Sequence, residues 1–330
     1  MMGFPEQVLY VESTADPGPN RTYLSLVIPV YNEQDVLPEL FRRVSAVIDD
    51  LPVDRAEVIV VSDGSADQTD ALIRRQVQED GRYRGVLLSR NFGHQPAVTA
   101  GLAVAEGSVV AVIDGDLQDP PELIGDMLAQ VNRGADVIYA VRQHRREGAL
   151  LRAAYWGFYR LLNMVAQVHI PLDAGDFCVM RRPVVDAMLA LPERRRFTRG
   201  LRAWVGFRQA PFAYSRESRF AGKPKYNLRR LVRLAYDGLF AFSDLPVKLM
   251  QWIGFGVTGL AVLISLIYFV LALIQPTPAG FPTLMLSVWF LGGVQMLAIG
   301  LIGEYLHRAY EQTLNRPTVL IRQVLRNEGA

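Results

Sequence analysis

Two carboxylates separated by one residue give the strongest chemical signal in the sequence. Asp114 and Asp116 follow the apolar run 109–113, which is typical of a buried strand. Two like charges held this close together are costly unless a cation neutralises them. Mg²⁺ and Mn²⁺ prefer oxygen ligands and commonly share them with the phosphates of a substrate. The spacing therefore predicts a site for Mg²⁺ or Mn²⁺ that also binds a diphosphate.

Polar side chains also follow two earlier apolar runs. Tyr31 could stack on a nucleobase, and Glu33 could accept hydrogen bonds from a ribose. Asp63 offers a carboxylate that could accept from a base N–H or a sugar hydroxyl. A turn that caps a helix explains Tyr31 and Glu33 at least as well, and a helix N-cap beside a glycine explains Asp63 equally well. Both interpretations stay open from these residues alone.

Apolar strands that alternate with helical patterns must position these groups. The predicted strands are 24–30, 56–61, 85–88, 109–113, 136–141 and 177–180, and the predicted helices are 33–49, 96–105 and 121–133. This alternation predicts an α/β domain with a mostly parallel, Rossmann-like sheet. Ligands of such sheets bind beyond the carboxyl ends of the strands. The polar clusters all lie at strand ends, so we expect the site at that edge.

A long uncharged stretch predicts a membrane anchor. No charged residue lies between Lys248 and Glu304, and about 20 apolar residues suffice to cross the hydrocarbon core. We predict two transmembrane helices, at about 247–274 and 281–303, joined by a short linker with three prolines. Basic residues flank the pair and are absent from its linker, which places both termini and the large domain in the cytoplasm. We therefore expect a multi-pass protein of the plasma membrane.

The segment before the first span is basic and amphipathic. Three arginines of Leu228–Phe242 can share one face: Arg229, Arg230 and Arg233. This pattern predicts a helix in the membrane interface that attracts an anionic lipid head group, although an ordinary surface helix is the alternative. Three glycines of the first span favour close helix packing and a homo-oligomer, for which a tetramer is plausible: Gly254, Gly256 and Gly259.

The remaining composition adds few constraints. Cys178 is the only cysteine among the 330 residues, which rules out a disulfide within the chain and suits a reducing compartment. The net charge of +2 is uninformative, and we expect no nucleic-acid partner. We predict a flexible leader at 1–22, a catalytic domain at 23–227, an interfacial helix at 228–245, a transmembrane hairpin at 246–306 and a cytoplasmic tail at 307–330.

Six stretches together resemble the family 2 glycosyltransferases, which have the GT-A fold. They are IPVYNE, VSDGSAD, SRNFGHQPA, DGDLQDPPE, DAGDF and RFAGKPKYN, and they cover about residues 24–227. With the two-helix tail, the chain is similar to the polyprenyl-phosphate glycosyltransferases, a group that includes dolichyl-phosphate mannose synthases and GtrB-type bacterial glucosyltransferases. The resemblance implies inverting transfer of a hexose, favouring glucose from UDP-glucose, to undecaprenyl or decaprenyl phosphate at the cytoplasmic membrane face. A GDP-mannose-dependent mannosyltransferase and a non-catalytic membrane scaffold are the alternatives.

The resemblance also implies roles for single residues. The nucleotide site would comprise Pro29, Tyr31, Glu33, Asp63, Asp114 and Gly115, and the metal ligands would be Asp114, Asp116 and Gln118. Asp116 and Asp176 would be the catalytic carboxylates. Arg219, Lys223 and Lys225 would approach the phosphates. The sequence has Pro224 where the family usually has a serine, which puts a serine contact in doubt but not Lys225.

The charge of the implied acceptor bears on the role of Asp176. A phosphate monoester has a second pKa of about 6, so the attacking oxygen is largely ionised at neutral pH. A strong general base is then unnecessary. An ionised Asp176 would repel the acceptor unless a cation or an arginine intervenes. We hypothesise that Asp176 positions the acceptor or the sugar, or completes a charge network, rather than removing a proton.

Overall fold

The elements alternate along the N-terminal half of the chain, as the sequence predicts. The computed structural model describes residues 22–143, 174–193, 196–215, 250, 252–257, 259, 260, 263, 267, 280–314 and 316–327. Within this part, the strands are β1 (Tyr23–Val30), β2 (Arg55–Ser62), β3 (Tyr83–Leu88), β4 (Val109–Val112), β5 (Val137–Gln143), β6 (Ala174–Arg181), β7 (Gln209–Ser215) and β8 (Ile321–Leu325). The helices are α1 (Leu37–Asp50), α2 (Thr69–Glu79), α3 (His94–Val104), α4 (Ile124–Asn132), α5 (Arg182–Ala190), α6 (Thr198–Trp204) and α7 (Phe281–Thr313), with a 3-10 turn (Pro121–Leu123) before α4.

The eight strands form one mixed sheet in the order β7-β5-β6-β4-β1-β2-β3-β8. The α/β class is confirmed, and β4, β1, β2 and β3 are parallel. However, β6 runs antiparallel to both β4 and β5, and β8 runs antiparallel to β3. β7 is parallel to β5, so six of the eight strands run in one direction, and the sheet is mixed but mostly parallel. An apolar run predicts a buried strand, but it carries no information on the direction of that strand.

Helices cover both faces of the sheet. Alternate residues of β1 point to opposite faces, so Leu26 and Ile28 join one core cluster while Val27 joins the other. The first cluster includes side chains of α1, α2 and α4, and the second includes side chains of α3, α5 and α6. α1 buries residues at helical spacing: Leu37, Leu40, Phe41, Val44 and Ile48. This three-layer packing fixes the strand ends that carry the polar clusters.

The C-terminal segment contributes a strand to the sheet. Within the predicted cytoplasmic tail, 307–330, the structure places β8 beside β3 at the edge of the sheet. Side chains support the pairing: Arg322 forms an ion pair with Asp70 at 2.7 Å, and Arg74 donates to Gln323 at 2.7 Å. A five-residue strand with exposed side chains has too little apolar pattern to stand out in a sequence.

A second compact unit contains the long helix α7, and we describe it by itself. Within the described residues, the stretch Phe290–Thr313 is long and apolar enough to cross a membrane. It overlaps the second predicted span, at 281–303. The first predicted span, 247–274, lies mostly outside the described residues, as do nearly all of the predicted leader and the whole interfacial helix. The two-span hairpin and the oligomer stay predictions.

Candidate active site

Asp114 and Asp176 lie side by side at the carboxyl edge of β4. β6 runs antiparallel to β4 with Cys178 opposite Val112, so the start of β6 lies beside the end of β4. The same register, continued by two residues, brings Asp176 opposite Asp114. His94 Nε2 is 3.1 Å from Asp176 Oδ2 and 3.5 Å from Asp114 Oδ1. The ligand atoms of these three side chains all lie within 4.8 Å of one another, so they form one polar cluster.

Asp176 is held from several sides, and its side chain is almost completely buried. Arg199 Nε and Nη2 donate to the two carboxylate oxygens, each at 2.9 Å. Gln95 Nε2 and Thr198 Oγ1 also donate to Asp176, each at 3.3 Å. Burial alone would raise the pKa of Asp176, but the charge of Arg199 and the hydrogen bonds from His94 and Arg199 hold that pKa well below its usual range. Asp176 is therefore an ionised carboxylate whose two oxygens are already engaged.

Asp114 has the opposite electrostatic character. Burial raises the pKa of Asp114 to about 6, although the charge of His94 opposes the shift. Three neighbouring carboxylates reinforce it: Asp176, Asp119 and Asp116. Burial lowers the pKa of His94, but the hydrogen bond to Asp176 and the charges of Asp114 and Asp176 outweigh this and raise it to about 9. Asp114 and His94 thus both have a raised pKa, Asp114 mainly through burial and His94 through its carboxylate neighbours.

The chemistry of the side chains fits a divalent cation. Asp114, Asp116, Asp119 and Asp176 act on one another electrostatically at this edge of the sheet. Carboxylate oxygens are the preferred ligands of Mg²⁺ and Mn²⁺. The residues present therefore suit the cofactor that the sequence predicts.

The acidic loop, residues 114–119, follows β4 in a conformation that few side chains adopt. Leu117 has a φ of +57°, in the left-handed region, which costs a residue other than glycine about 1–2 kcal/mol. Its side chain is only 1% exposed and belongs to the core cluster beside α1. A Cβ at Gly115 would stand 2.5 Å from Val30 Cγ1, so the loop lies directly against the end of β1. Only glycine permits this close approach.

The three predicted metal ligands take different positions in this loop. Asp114 belongs to the polar cluster with His94 and Asp176. Asp116 accepts a hydrogen bond from the backbone N–H of Gln118 at 3.1 Å, which orients the Asp116 carboxylate. The side chains of Asp116 and Gln118 are both partly exposed. The structure thus brings Asp114 together with His94 as a possible ligand, which the sequence alone does not indicate.

Hydrogen bonds connect the loop after β1 to the loop after β2, and β1 is next to β4 in the sheet. Asn32 N donates to Ser65 Oγ at 3.1 Å, and Ala66 N donates to Asn32 Oδ1 at 2.8 Å. Glu33 N donates to Thr69 Oγ1 at 3.0 Å. These hydrogen bonds fix the backbone directly after Tyr31, a residue that is 39% exposed. A partly exposed aromatic residue beside a fixed turn is suited to stacking on a planar ligand.

Two of the predicted nucleotide-site residues have internal contacts instead of open surfaces. Pro29 is buried within β1, in register with Val61 of β2. Asp63 is 3% exposed, and its carboxylate accepts from the backbone N–H groups of Phe92 at 2.7 Å and Gly93 at 2.9 Å. Asp63 thereby anchors the loop that leads into α3 and positions His94. This role differs from the helix N-cap that the sequence left open.

Sequence comparison decides the family. Residues 25–189, half of the chain, match the family model described as Glycosyl transferase family 2. An uncharacterised glycosyltransferase of Synechocystis sp. is 42% identical over 301 residues, which cover 90% of this chain and 94% of that protein. The chain belongs to glycosyltransferase family 2.

Other relatives of this family 2 glycosyltransferase extend over nearly the same length. The bactoprenol glucosyl transferase of Shigella phage SfII is 36% identical over 302 residues, which cover 91% of this chain and 97% of that protein. Among solved structures, the mannosyltransferase of Pyrobaculum calidifontis in complex with GDP-mannose and Mn²⁺ covers 65% of this chain, with a TM-score of 0.46 and 18% identity. The matches to the curated relatives thus reach beyond the residues of the family model.

Some predicted residues of the glycosyltransferase lie outside the described part of the chain. They are Arg219, Lys223, Lys225, Arg229, Arg230 and Arg233. Their roles toward phosphates and the acceptor stay predictions.

Other residues of the site carry no specific functional signal in the sequence. His94 lies in a stretch where a structural turn role is as good an interpretation as substrate contact, and Arg199 lies in a basic cluster that a solvated loop explains equally well. Gln95 and Thr198 carry no chemical signal by themselves. The sequence does not reveal that β6 runs antiparallel to β4. This direction places Asp176 where residues of α3 and α6 both contact its carboxylate.

Proposed function

We propose that this glycosyltransferase transfers a hexose, glucose from UDP-glucose, with inversion to a polyprenyl phosphate at the cytoplasmic face of the plasma membrane. The observation that carries the proposal is the cluster of Asp114, Asp176 and His94 at the carboxyl ends of the strands, since carboxylates there suit a metal-bound diphosphate. Relatives at 36% identity are named bactoprenol glucosyl transferases, which supports a polyprenyl-phosphate acceptor and glucose as the sugar.

Asp114 and Asp116, with Gln118, would hold Mg²⁺ or Mn²⁺, and the protonated His94 would compensate charge beside Asp114 and Asp176. When bound, the cation would stabilise the negative charge that develops on the nucleoside diphosphate as it leaves the sugar. Tyr31 would stack on the nucleobase, because it is partly exposed beside a turn that hydrogen bonds fix.

Asp176 acts in this proposal as a positioning group and not as a base. A carboxylate held ionised by Arg199 has little tendency to take a proton. The acceptor phosphate brings its own ionised oxygen and needs no proton removed. Arg199 would also reduce the repulsion between Asp176 and the acceptor phosphate, since its positive charge neutralises Asp176 where the acceptor must approach. Asp176 and Arg199 together would present a locally neutral surface to the lipid phosphate.

The decisive experiment offers the purified protein a panel of nucleotide-sugars. The reactions contain Mg²⁺ or Mn²⁺ and undecaprenyl or decaprenyl phosphate, and mass spectrometry identifies the lipid product. We expect a hexosyl polyprenyl phosphate from UDP-glucose. A product from GDP-mannose alone would instead establish a mannosyltransferase. No lipid product from any donor would overturn the assignment and favour the scaffold alternative.

An Asp116→Ala variant tests the dependence on the acidic loop. Because Asp116 would hold the metal, we expect transfer to fall by at least about a hundredfold, in the range that loss of a key electrostatic group costs. Asp126→Ala is the matched control, since Asp126 is an exposed carboxylate on α4. Undiminished transfer by Asp116→Ala would sink the assignment.

The pH dependence of an Asp176→Asn variant tests the role of that carboxylate. We expect the pH profiles of the wild type and the variant to show the same titrations, so that no carboxylate titration is specific to the wild type. A wild-type titration that disappears in Asp176→Asn would restore the role of Asp176 as a base.

A further inference from the structure

A buried tyrosine, Tyr214, connects the acidic loop to β7, a strand at the edge of the sheet. Its hydroxyl donates a hydrogen bond to Asp119 Oδ1, at the end of the loop. Tyr214 is 5% exposed and Asp119 is 1% exposed. A buried carboxylate is costly without hydrogen-bond donors, and hydrogen bonds to charged groups are among the strong ones in proteins. This contact therefore constrains where the end of the loop can lie.

The loop needs such a constraint because its backbone is strained. Leu117 holds a left-handed conformation between the two predicted ligands Asp116 and Gln118. A residue with a side chain keeps this conformation only when its surroundings enforce it. Gly115, against β1, fixes the beginning of the loop, and the buried side chain of Leu117 fixes the middle. Asp119 is the last anchor before two buried prolines.

The same tyrosine touches the strand that carries Asp176. The rings of Tyr214 and Phe177 meet edge to face, with centroids 6.0 Å apart and an angle of 87° between the ring planes. Phe177 is fully buried and directly follows Asp176 in β6. Tyr214 thus contacts both elements that supply carboxylates to the site, through its hydroxyl on one side and its ring on the other.

We propose that Tyr214 is a positioning residue that holds the acidic loop, through Asp119, in the conformation that binds the divalent cation. The proposal rests on the proposed function, because it assumes that this loop binds the metal. In this proposal Tyr214 acts on metal binding through Asp119. Removal of its hydroxyl should therefore weaken metal binding by the free protein and leave the later chemical step largely intact once metal is saturating.

The test compares two tyrosine-to-phenylalanine variants of the full-length protein. Tyr214→Phe keeps the ring against Phe177 and removes only the hydroxyl. Tyr83→Phe is the matched control, because Tyr83 is also buried and its hydroxyl contacts Ser45 and the carbonyl of Phe41, both in α1. Both variants lose a hydrogen bond from the core, so a general loss of stability affects both.

Mn²⁺ binding is the first readout, and it does not depend on activity. Electron paramagnetic resonance of free Mn²⁺ is recorded while the purified protein is titrated with MnCl₂, in the presence of UDP and, in parallel, of GDP. We expect the dissociation constant for Mn²⁺ to rise about tenfold in Tyr214→Phe, the size of effect that a lost hydrogen bond to a charged group produces, and to stay within about twofold in Tyr83→Phe.

Two further measurements separate positioning from a general structural role. In transfer assays, the Mn²⁺ concentration for half-maximal rate should rise in Tyr214→Phe while the rate at saturating Mn²⁺ stays within about threefold, since the hydroxyl contributes no interaction in the chemical step. In an Asp119→Ala background, adding Tyr214→Phe should weaken Mn²⁺ binding no further, because the partner of the hydroxyl is already gone.

The outcomes distinguish this inference from the proposed function. If the wild type binds Mn²⁺ and both phenylalanine variants bind it equally well, the positioning role is wrong while the proposed function stands. An equal loss of binding in both variants would also overturn it, since the effect would then follow from stability alone. A wild type that binds no Mn²⁺ with either nucleotide would overturn the metal-binding part of the proposed function and this inference with it.

Discussion

The two edges of the sheet each hold a cluster of charged side chains, and a carboxylate of each cluster has its pKa shifted in the opposite direction. The amino ends of β1, β2 and β3 carry Ser25, Glu57 and Arg84, and Glu106 precedes β4. Arg84 Nη1 lies 2.9 Å from Glu57 Oε2 and 2.7 Å from Glu106 Oε1. Ser25 Oγ donates to Glu57 Oε1 at 2.5 Å. Arg326 approaches Glu106 at 3.6 Å, so two carboxylates meet two guanidinium groups.

The carboxylates of the two edges differ in the direction of their pKa shifts. At the carboxyl edge, the pKa of Asp114 is raised to about 6, mainly by burial. At the amino edge, the hydrogen bond from Arg84 lowers the pKa of Glu106. An ionised carboxylate with a raised pKa costs stability until a bound cation compensates it, whereas one with a lowered pKa contributes to stability. This contrast favours a structural role for the amino edge and binding at the carboxyl edge.

The largest expected effect is on activity at the carboxyl edge. Asp114→Asn keeps the shape of the side chain and removes a charge that the proposed metal requires. We expect transfer to fall by about a hundredfold or more, as for the loss of other key electrostatic groups, and the midpoint of thermal unfolding without metal to stay equal or rise. Transfer rates and thermal unfolding of the same preparation check both. An active Asp114→Asn variant would remove the main distinction between the edges.

The corresponding change at the amino edge should lower stability and leave the transfer rate nearly unchanged. Glu57→Gln leaves Arg84 without one of its two carboxylates in a buried position. We expect the free energy of unfolding to fall by about 1–3 kcal/mol, the cost of a disrupted buried hydrogen bond to a charged group. Denaturant unfolding of the purified protein measures this. The transfer rate per folded molecule should stay close to that of the wild type, and a large loss would show that this edge also serves the reaction.

A smaller effect should follow from loss of Arg199. Arg199→Gln leaves the buried Asp176 carboxylate with less compensation, so it should repel an anionic acceptor. We expect the KM for polyprenyl phosphate to rise about tenfold, the scale of a lost hydrogen bond between charged groups, with a smaller change in the KM for the nucleotide-sugar. Arg199→Lys retains the charge and should recover part of the loss. Equal changes in both KM values would contradict a role confined to the acceptor.

Sequence patterns predict much of this site because the relevant residues follow apolar strands. Asp114 and Asp116 directly after β4 are examples, since period and burial are local properties. The direction of β6 and the pairing of β8 are not local, so neither could be predicted. The partners of Asp176 depend on the first of these, because His94 and Arg199 come from elements more than 20 residues away in the chain. Asp119 and Tyr214, which are 95 residues apart, meet only in the folded sheet.

The smallest expected effect is a pH dependence that differs in sign between the edges. The pKa of Asp114 rises from 3.8 to about 6 on folding, mainly through burial, so its ionisation destabilises the metal-free protein as the pH rises through that range. The pKa of Glu106 is lowered, chiefly by its hydrogen bond with Arg84, so its contribution to stability is lost as the pH falls.

Thermal unfolding with a chelator from about pH 3 to pH 7.5 tests both groups, because Asp114 changes charge near its raised pKa of about 6 and Glu106 changes charge below its ordinary value of 4.5. Asp114→Asn should gain stability over the wild type at the upper end, and this gain should shrink on acidification. Glu106→Gln should lose stability at the upper end, and this loss should shrink on acidification. Stability differences of the same sign for both variants would mean that the direction of the carboxylate pKa shift does not distinguish the two edges of the sheet.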